Sequence, residues 1–165
     1  MAVTGRFRAR WTEAIHQEWM ASVRSARPDL PPDRLERTRQ LMDQAVPECL
    51  VTGYEGAIES LVLPDPSDRH VLAAAIRCQA GVIVTYNLRD FPPDALTPWA
   101  IDAQHPDEFL SHFFDLAPGA LCAVVRNQRL ALAAPPQTVD DLLETFAQLG
   151  LANTVAALGP MREIL

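Results

Sequence analysis

Leu63-Pro-Asp-Pro-Ser-Asp-Arg-His-Val-Leu-Ala-Ala-Ala-Ile76, followed by Val82-Ile-Val-Thr-Tyr-Asn-Leu-Arg-Asp-Phe91, reads as a helix feeding a buried strand. Its polar groups gather at one end. Asp65 is placed to cap the helix and Pro66 to take the first helical position, where a missing N–H costs nothing. Asp68 then falls in the first turn, on the face of Val71, Leu72 and Ala75, three, four and seven residues on. That face is apolar, so Asp68 is expected at the edge of the core. Val82–Val84 is continuously apolar, the pattern of a strand covered on both faces of a parallel sheet. Polar side chains appear only where it ends, at Thr85, Asn87 and Asp90. Open α/β sheets bind ligands at the carboxyl ends of their strands, so two acids converging on such an edge make a candidate site. Simpler readings stand beside this one. An acid in a first turn complements the helix dipole, and Asn and Asp favour turns for backbone reasons.

Upstream, Thr12 caps a predicted helix of residues 13–25 with an apolar stripe of Ile15, Trp19, Met20 and Val23. Glu18 borders that stripe, and by spacing alone it reads as a solvated acid. Pro28, Pro31 and Pro32 close this unit. A second helix over 33–46 and a short strand over 50–53 follow. Downstream of Val84, residues 100–103 read as a last short strand, and His105-Pro-Asp-Glu-Phe-Leu110 opens a helix with Pro106 near its start. From residue 111 the pattern is helices without strands. Leu121, Val124, Val125 and Leu132 form one stripe that Pro135-Pro136 stops. Thr138-Val-Asp-Asp141 reads as an acidic capping box before Leu142, Leu143, Phe146 and Leu149, with Gly150 as C-terminal cap and a last helix over 153–158. These stripes suit core against the α/β body, or an interface for a partner or a twin subunit.

Hydrophobic residues make up 48% of the 165, ample for a core and too many for a disordered tail. No apolar run approaches the ~18 residues of a membrane span, and no signal peptide is evident, so cytoplasm is the expected compartment. Cys49, Cys78 and Cys122 form no CxxC pair, which excludes a disulfide framework or zinc site. His16, His70, His105 and His112 lack paired metal-ligand spacing and read as surface or capping residues. The net charge of −7 argues against a general nucleic-acid surface. The basic residues are nevertheless uneven: 8 of the 14 lie within residues 1–40, all of them Arg. Arg6, Arg8 and Arg10 would share one face of a strand. Arg suits bidentate phosphate contacts, and a solvated edge explains the same run.

Three segments in order, Asp65-Pro-Ser-Asp-Arg-His-Val-Leu-Ala-Ala-Ala-Ile76, Val82-Ile-Val-Thr-Tyr-Asn-Leu-Arg-Asp-Phe-Pro92 and Ala103-Gln-His-Pro-Asp-Glu-Phe-Leu110, resemble the second half of a PIN domain. The branch they resemble contains VapC-type toxins of bacterial toxin–antitoxin pairs. The run Phe7-Arg-Ala-Arg-Trp-Thr-Glu-Ala-Ile-His-Gln-Glu-Trp19 is similar to the same branch. The likeness extends from about residue 5 to 110, and the helical tail resembles that of longer members.

The resemblance implies an α/β fold, a PIN-like three-layer α/β/α domain over residues 1–110 with a short parallel sheet, and a helical extension over 111–165. It implies a Mg²⁺- or Mn²⁺-dependent endoribonuclease with RNA as substrate and a cognate antitoxin as partner, and a homodimer as a further association. By position, Glu18, Asp68 and Asp90 would hold metal and Asn87 would orient water or phosphate. Thr85, Arg6, Arg8 and Arg10 would face substrate. The chemistry is coherent, because crowded carboxylates repel unless a cation sits between them and Mg²⁺ prefers oxygen ligands. One departure stands out. The family opens with an apolar strand ending in aspartate, and this sequence has no counterpart. The expected consequences are a missing fourth acid, impaired catalysis, a parallel sheet split into two strand pairs, and Met1 as an internal or misassigned start. A rival reading is a catalytically silent module that engages an antitoxin through its Arg face and helical tail. A nucleotide-binding domain is disfavoured, because no Gly-rich phosphate loop follows any strand.

Overall fold

Two parallel pairings organise the backbone. The computed structural model describes residues 7–132 and 135–165. Within them, β1 (Val82–Val84) pairs with β2 (Asp102–Gln104) in a two-stranded sheet. Asp102 N–H donates to Gly81 O and Thr85 N–H to Gln104 O, both at 3.0 Å, which is the staggered ladder of parallel strands. Separately, Trp11 N–H donates to Cys49 O (2.9 Å) and Val51 N–H to Trp11 O (2.8 Å), forming an isolated parallel bridge between Trp11 and Leu50. The rest is mostly helical, an arrangement compatible with the expected α/β class.

The chain divides into two compact units. One comprises residues 7–83 with Asn87–Ala103, the other Val84–Tyr86 with Gln104–Leu165. In the first unit, α1 (Glu13–Ala26) begins where expected, because Thr12 Oγ1 accepts the Ile15 N–H at 3.1 Å. Pro32 opens α2 (Pro32–Ala45). Half-buried Asp43 ties α2 to α1 and the residues before it: Trp11 Nε1–H donates to Asp43 Oδ1 at 2.8 Å and His16 Nε2 lies 2.9 Å from the same oxygen. The expected strand over 50–53 is reduced to the Leu50 bridge. Gly53 turns the chain at φ +73°, and a 3-10 helix over Glu55–Ser60 follows.

The core of this unit gathers Val51, Tyr54, Leu61, Leu63, Leu72, Ala73, Ile83, Phe91, Leu96 and Ile101. The first turn expected after Asp65 is a 3-10 turn, Pro66–Asp68, and α3 (Arg69–Arg77) starts after it. Asp68 is therefore the residue that enters the α-helix. Leu72 and Ala75 lie in the core as anticipated. The strand β1 departs from expectation: Ile83 is buried, yet Val84 is 46% exposed. A two-stranded sheet does not need apolar cover on both faces, so the uninterrupted apolar run overstated its burial. The last strand also starts later than residue 100. Ala100 closes the 3-10 turn Thr97–Trp99 with φ +55°, a left-handed conformation no strand can hold. The short α4 (Pro93–Leu96) precedes that turn.

In the second unit, His105 Nδ1 accepts the Asp107 N–H at 3.2 Å and starts α5 (Pro106–Leu116). The helix α6 (Pro118–Ala131) buries Leu121, Cys122 and Val125. Leu132 lies just past the end of α6 and is 40% exposed, so it drops out of the predicted stripe. The capping box at α7 (Val139–Gln148) forms as read: Thr138 Oγ1 accepts the Asp141 N–H, and Asp141 Oδ2 accepts the Thr138 N–H. Gly150, at φ +77°, turns the chain into α8 (Ala152–Leu158). Leu142, Leu143, Thr154 and Leu158 are buried here. Among the described residues, no helix is long and apolar enough to cross a membrane.

Candidate metal centre

One oxygen each from Asp65, Asp68 and Asp90 lies within 4.8 Å of the other two. Local structure delivers each of them. Asp65 caps the 3-10 turn, its Oδ1 accepting Ser67 N–H (2.8 Å) and Ser67 Oγ–H (2.7 Å). Asp68 ends that turn. Asp90 ends a second 3-10 turn, Leu88–Asp90, and accepts a hydrogen bond from Asn87 Nδ2. All three belong to the first unit.

Asp68 is the electrostatic centre of the group. Burial pushes its carboxyl above the ordinary aspartate value, and the charges of Asp65, Asp90 and Glu18 add to the rise, while His70 opposes it. Its side chain accepts no hydrogen bond from the described residues. None of the three aspartates is ion-paired with an arginine among them either. Glu18 acts on Asp68 from α1, and its Oε1 lies 2.8 Å from His70 Nε2. Glu18 and Asp90 thus both bear on Asp68 despite their separation in sequence. Asp65 joins them, although its capping role alone was evident from the sequence. The only hint had been its place three residues before Asp68 in one loop.

The other predicted residues lie as follows. Asn87 donates to the Asp90 carboxylate, an acid that the sequence reading had grouped with it. Thr85 belongs to the second unit, where its N–H completes the β ladder. Arg8 is exposed, and Arg10 lies 3.7 Å from Glu48. Residues 8–10 adopt no strand, so the alternation of arginines does not set a common face. Arg6 lies outside the described residues. Two histidines read as surface or capping groups are neither: His16 is fully buried and His70 is 9% exposed, and each contacts a carboxylate. A lone histidine has no periodic partner in sequence, so nothing local signalled its burial.

The donor set suits a hard divalent cation. It offers only oxygens, is crowded with like charge, and has one carboxylate that receives no hydrogen bond from the described residues. Asp65, Asp68 and Asp90 could hold Mg²⁺ or Mn²⁺, whereas Glu18 is not among the converging oxygens and acts on Asp68 only by its charge.

Residues 106–160 match the family model described as the VapC50 C-terminal domain. A protein of Mycobacterium tuberculosis (strain ATCC 25618 / H37Rv) named "Putative ribonuclease VapC50" is 49% identical over 81 residues, covering 49% of this chain and 48% of that protein. The chain thus matches about half the length of this curated relative. No solved structure matches it.

Proposed function

We propose, from the premise that the chain belongs to the VapC-type PIN family with a C-terminal extension, that it is a divalent-metal-dependent endoribonuclease, the toxin of a toxin–antitoxin pair. One observation carries the reading: one oxygen each from Asp65, Asp68 and Asp90 converge, Glu18 bears electrostatically on Asp68, and no donor among the described residues hydrogen-bonds Asp68. Mg²⁺ or Mn²⁺ bound there would supply positive charge for the scissile phosphate and lower the pKa of a coordinated water. The side chains do the positioning. Asp65, Asp68 and Asp90 would hold the ion, Asn87 donates to the Asp90 carboxylate and so restrains it, and Glu18 adds negative charge from α1. Arg8 and Arg10 are the proposed substrate contacts, Arg being suited to phosphate.

The proposed organisation is a PIN-like domain over residues 1–110 and an extension from 111 onward. That extension is the proposed antitoxin-binding segment, and it exposes Leu116, Leu130, Leu149 and Ile164, each more than half accessible. Cleavage of single-stranded RNA by the purified chain in Mg²⁺ tests the activity. Loss of cleavage on adding EDTA and in a folded Asp68→Ala variant is expected. Cleavage that survives both would refute the metal-dependent reading, and antitoxin binding without any cleavage would favour the silent module.

A further inference from the structure

Three of the acids at the candidate centre are each held by one donor group. Ser67 holds Asp65, Asn87 holds Asp90, and His70 meets Glu18. The third pair differs from the others in reach. Ser67 and Asn87 lie within three residues of the acids they hold, whereas His70 and Glu18 are 52 apart. His70 is the second residue of α3, two positions after Asp68, and its side chain is 11% exposed. Glu18 projects from α1 with 55% of its side chain accessible. An exposed glutamate samples many rotamers, while a buried ring samples few. The contact at 2.8 Å therefore transfers the fixed position of the ring to a mobile carboxylate.

An ionised carboxylate only accepts, so the bridging hydrogen is on His70 Nε2 and is donated to Glu18 Oε1. That leaves Oε2 without a donor from His70. His70 Nδ1 is buried and has no hydrogen-bond partner among the described residues. The ring's single polar contact among the described residues is therefore Glu18.

We propose that His70 is a positioning residue for the metal centre, holding Glu18 so that the glutamate's charge bears on the ion at Asp68 and Asp90. The inference rests on the metal-centre reading above. Hydrogen-bonded partners of metal-ligating groups commonly change metal affinity by about 10–100-fold when removed.

The test is Mn²⁺ affinity of the full chain, followed by the EPR signal of free Mn²⁺, for the wild type, His70→Ala, His70→Gln, Glu18→Gln and the His70→Ala/Glu18→Gln double variant. His70→Ala is expected to weaken Mn²⁺ by about 10-fold or more. His70→Gln, whose amide nitrogen can occupy the place of Nε2, restores most of that loss. In the Glu18→Gln background, His70→Ala adds little further. The same loss in both backgrounds, or no rescue by Gln, overturns this inference alone. A wild-type chain that binds no Mn²⁺ overturns the metal-centre reading as well. Should His70→Ala fail to fold, the imidazole ¹⁵N signals of the wild-type chain decide: Mg²⁺ must move the His70 Nε2 resonance in the wild type and not in Glu18→Gln. An unmoved resonance in the wild type refutes the role.

Discussion

Asp107 Oδ1 accepts both the Thr154 N–H (2.8 Å) and the Thr154 Oγ–H (2.7 Å), while its Oδ2 accepts the Asn153 N–H (2.9 Å). A carboxylate in the first turn of α5 thereby caps α8, whose own N-terminal residue, Leu151, provides no side-chain cap. Two orphan donors at a helix start are satisfied from 46 and 47 residues away.

Asp107 is 5% exposed, and each buried group left without a partner costs about 1–3 kcal/mol. Asp107→Ala is expected to destabilise the chain by at least about 2 kcal/mol in urea unfolding. Burial raises the Asp107 carboxyl, but the hydrogen bonds from Thr154 and Asn153 outweigh it and hold it below the ordinary value. A depressed folded value means that this stabilisation is present above the unfolded value and lost as pH falls through the folded one. Wild type and Asp107→Ala should therefore converge in stability on acidification.

The Asp43 network gives a second test. Trp19 Nε1–H donates to His16 Nδ1 at 2.9 Å, and an indole nitrogen only donates. His16 Nδ1 is therefore the acceptor, and Nε2–H donates to Asp43. NMR of the imidazole nitrogens is expected to find the hydrogen on Nε2 alone. Asp43→Ala leaves Trp11 Nε1 and His16 Nε2 without their acceptor and is expected to cost about 2–4 kcal/mol, with a shift in tryptophan fluorescence. Stability within about 0.5 kcal/mol of wild type would contradict the network.

Asp68 carries the pH signature of the centre. Its carboxyl sits above the ordinary value, first from burial and then from the charges of Asp65, Asp90 and Glu18. A raised acid favours the folded state when protonated. Its contribution is therefore most favourable below the unfolded value, near 3.8, and is lost as pH rises through the folded one. Without metal, Asp68→Asn should be as stable as wild type or more stable at neutral pH, by less than about 1 kcal/mol given solvent screening. Added Mg²⁺ should raise the Tm of the wild type and leave that of Asp68→Asn unchanged. A clear loss of metal-free stability in Asp68→Asn would count against crowded charge at this position.

What was legible in the sequence was local. Thr12, Asp65, His105 and the Thr138–Asp141 box act within three residues of themselves, and their chemistry requires little tertiary context. The helix–strand pattern pairs Asp68 with Asp90 at one edge, whereas Glu18 carries no periodic signal and only the family likeness adds it. Asp107 with Thr154, Trp11 with Asp43 and His70 with Glu18 depend on how distant helices meet, and nothing in their spacing announces it. The strands were overread for a backbone reason. Positive φ at Gly53 and Ala100 turns segments whose apolar side chains alone suggest extension.

The measurement that bears most directly on the account is calorimetric titration of the purified chain with Mg²⁺ and Mn²⁺, beside Asp68→Ala and Asp90→Ala variants shown by circular dichroism to be folded. Saturable binding by the wild type, lost in both variants, is the predicted result. A wild-type chain that takes up neither ion, or variants that bind as tightly as it does, would contradict a shared cation over Asp65, Asp68 and Asp90.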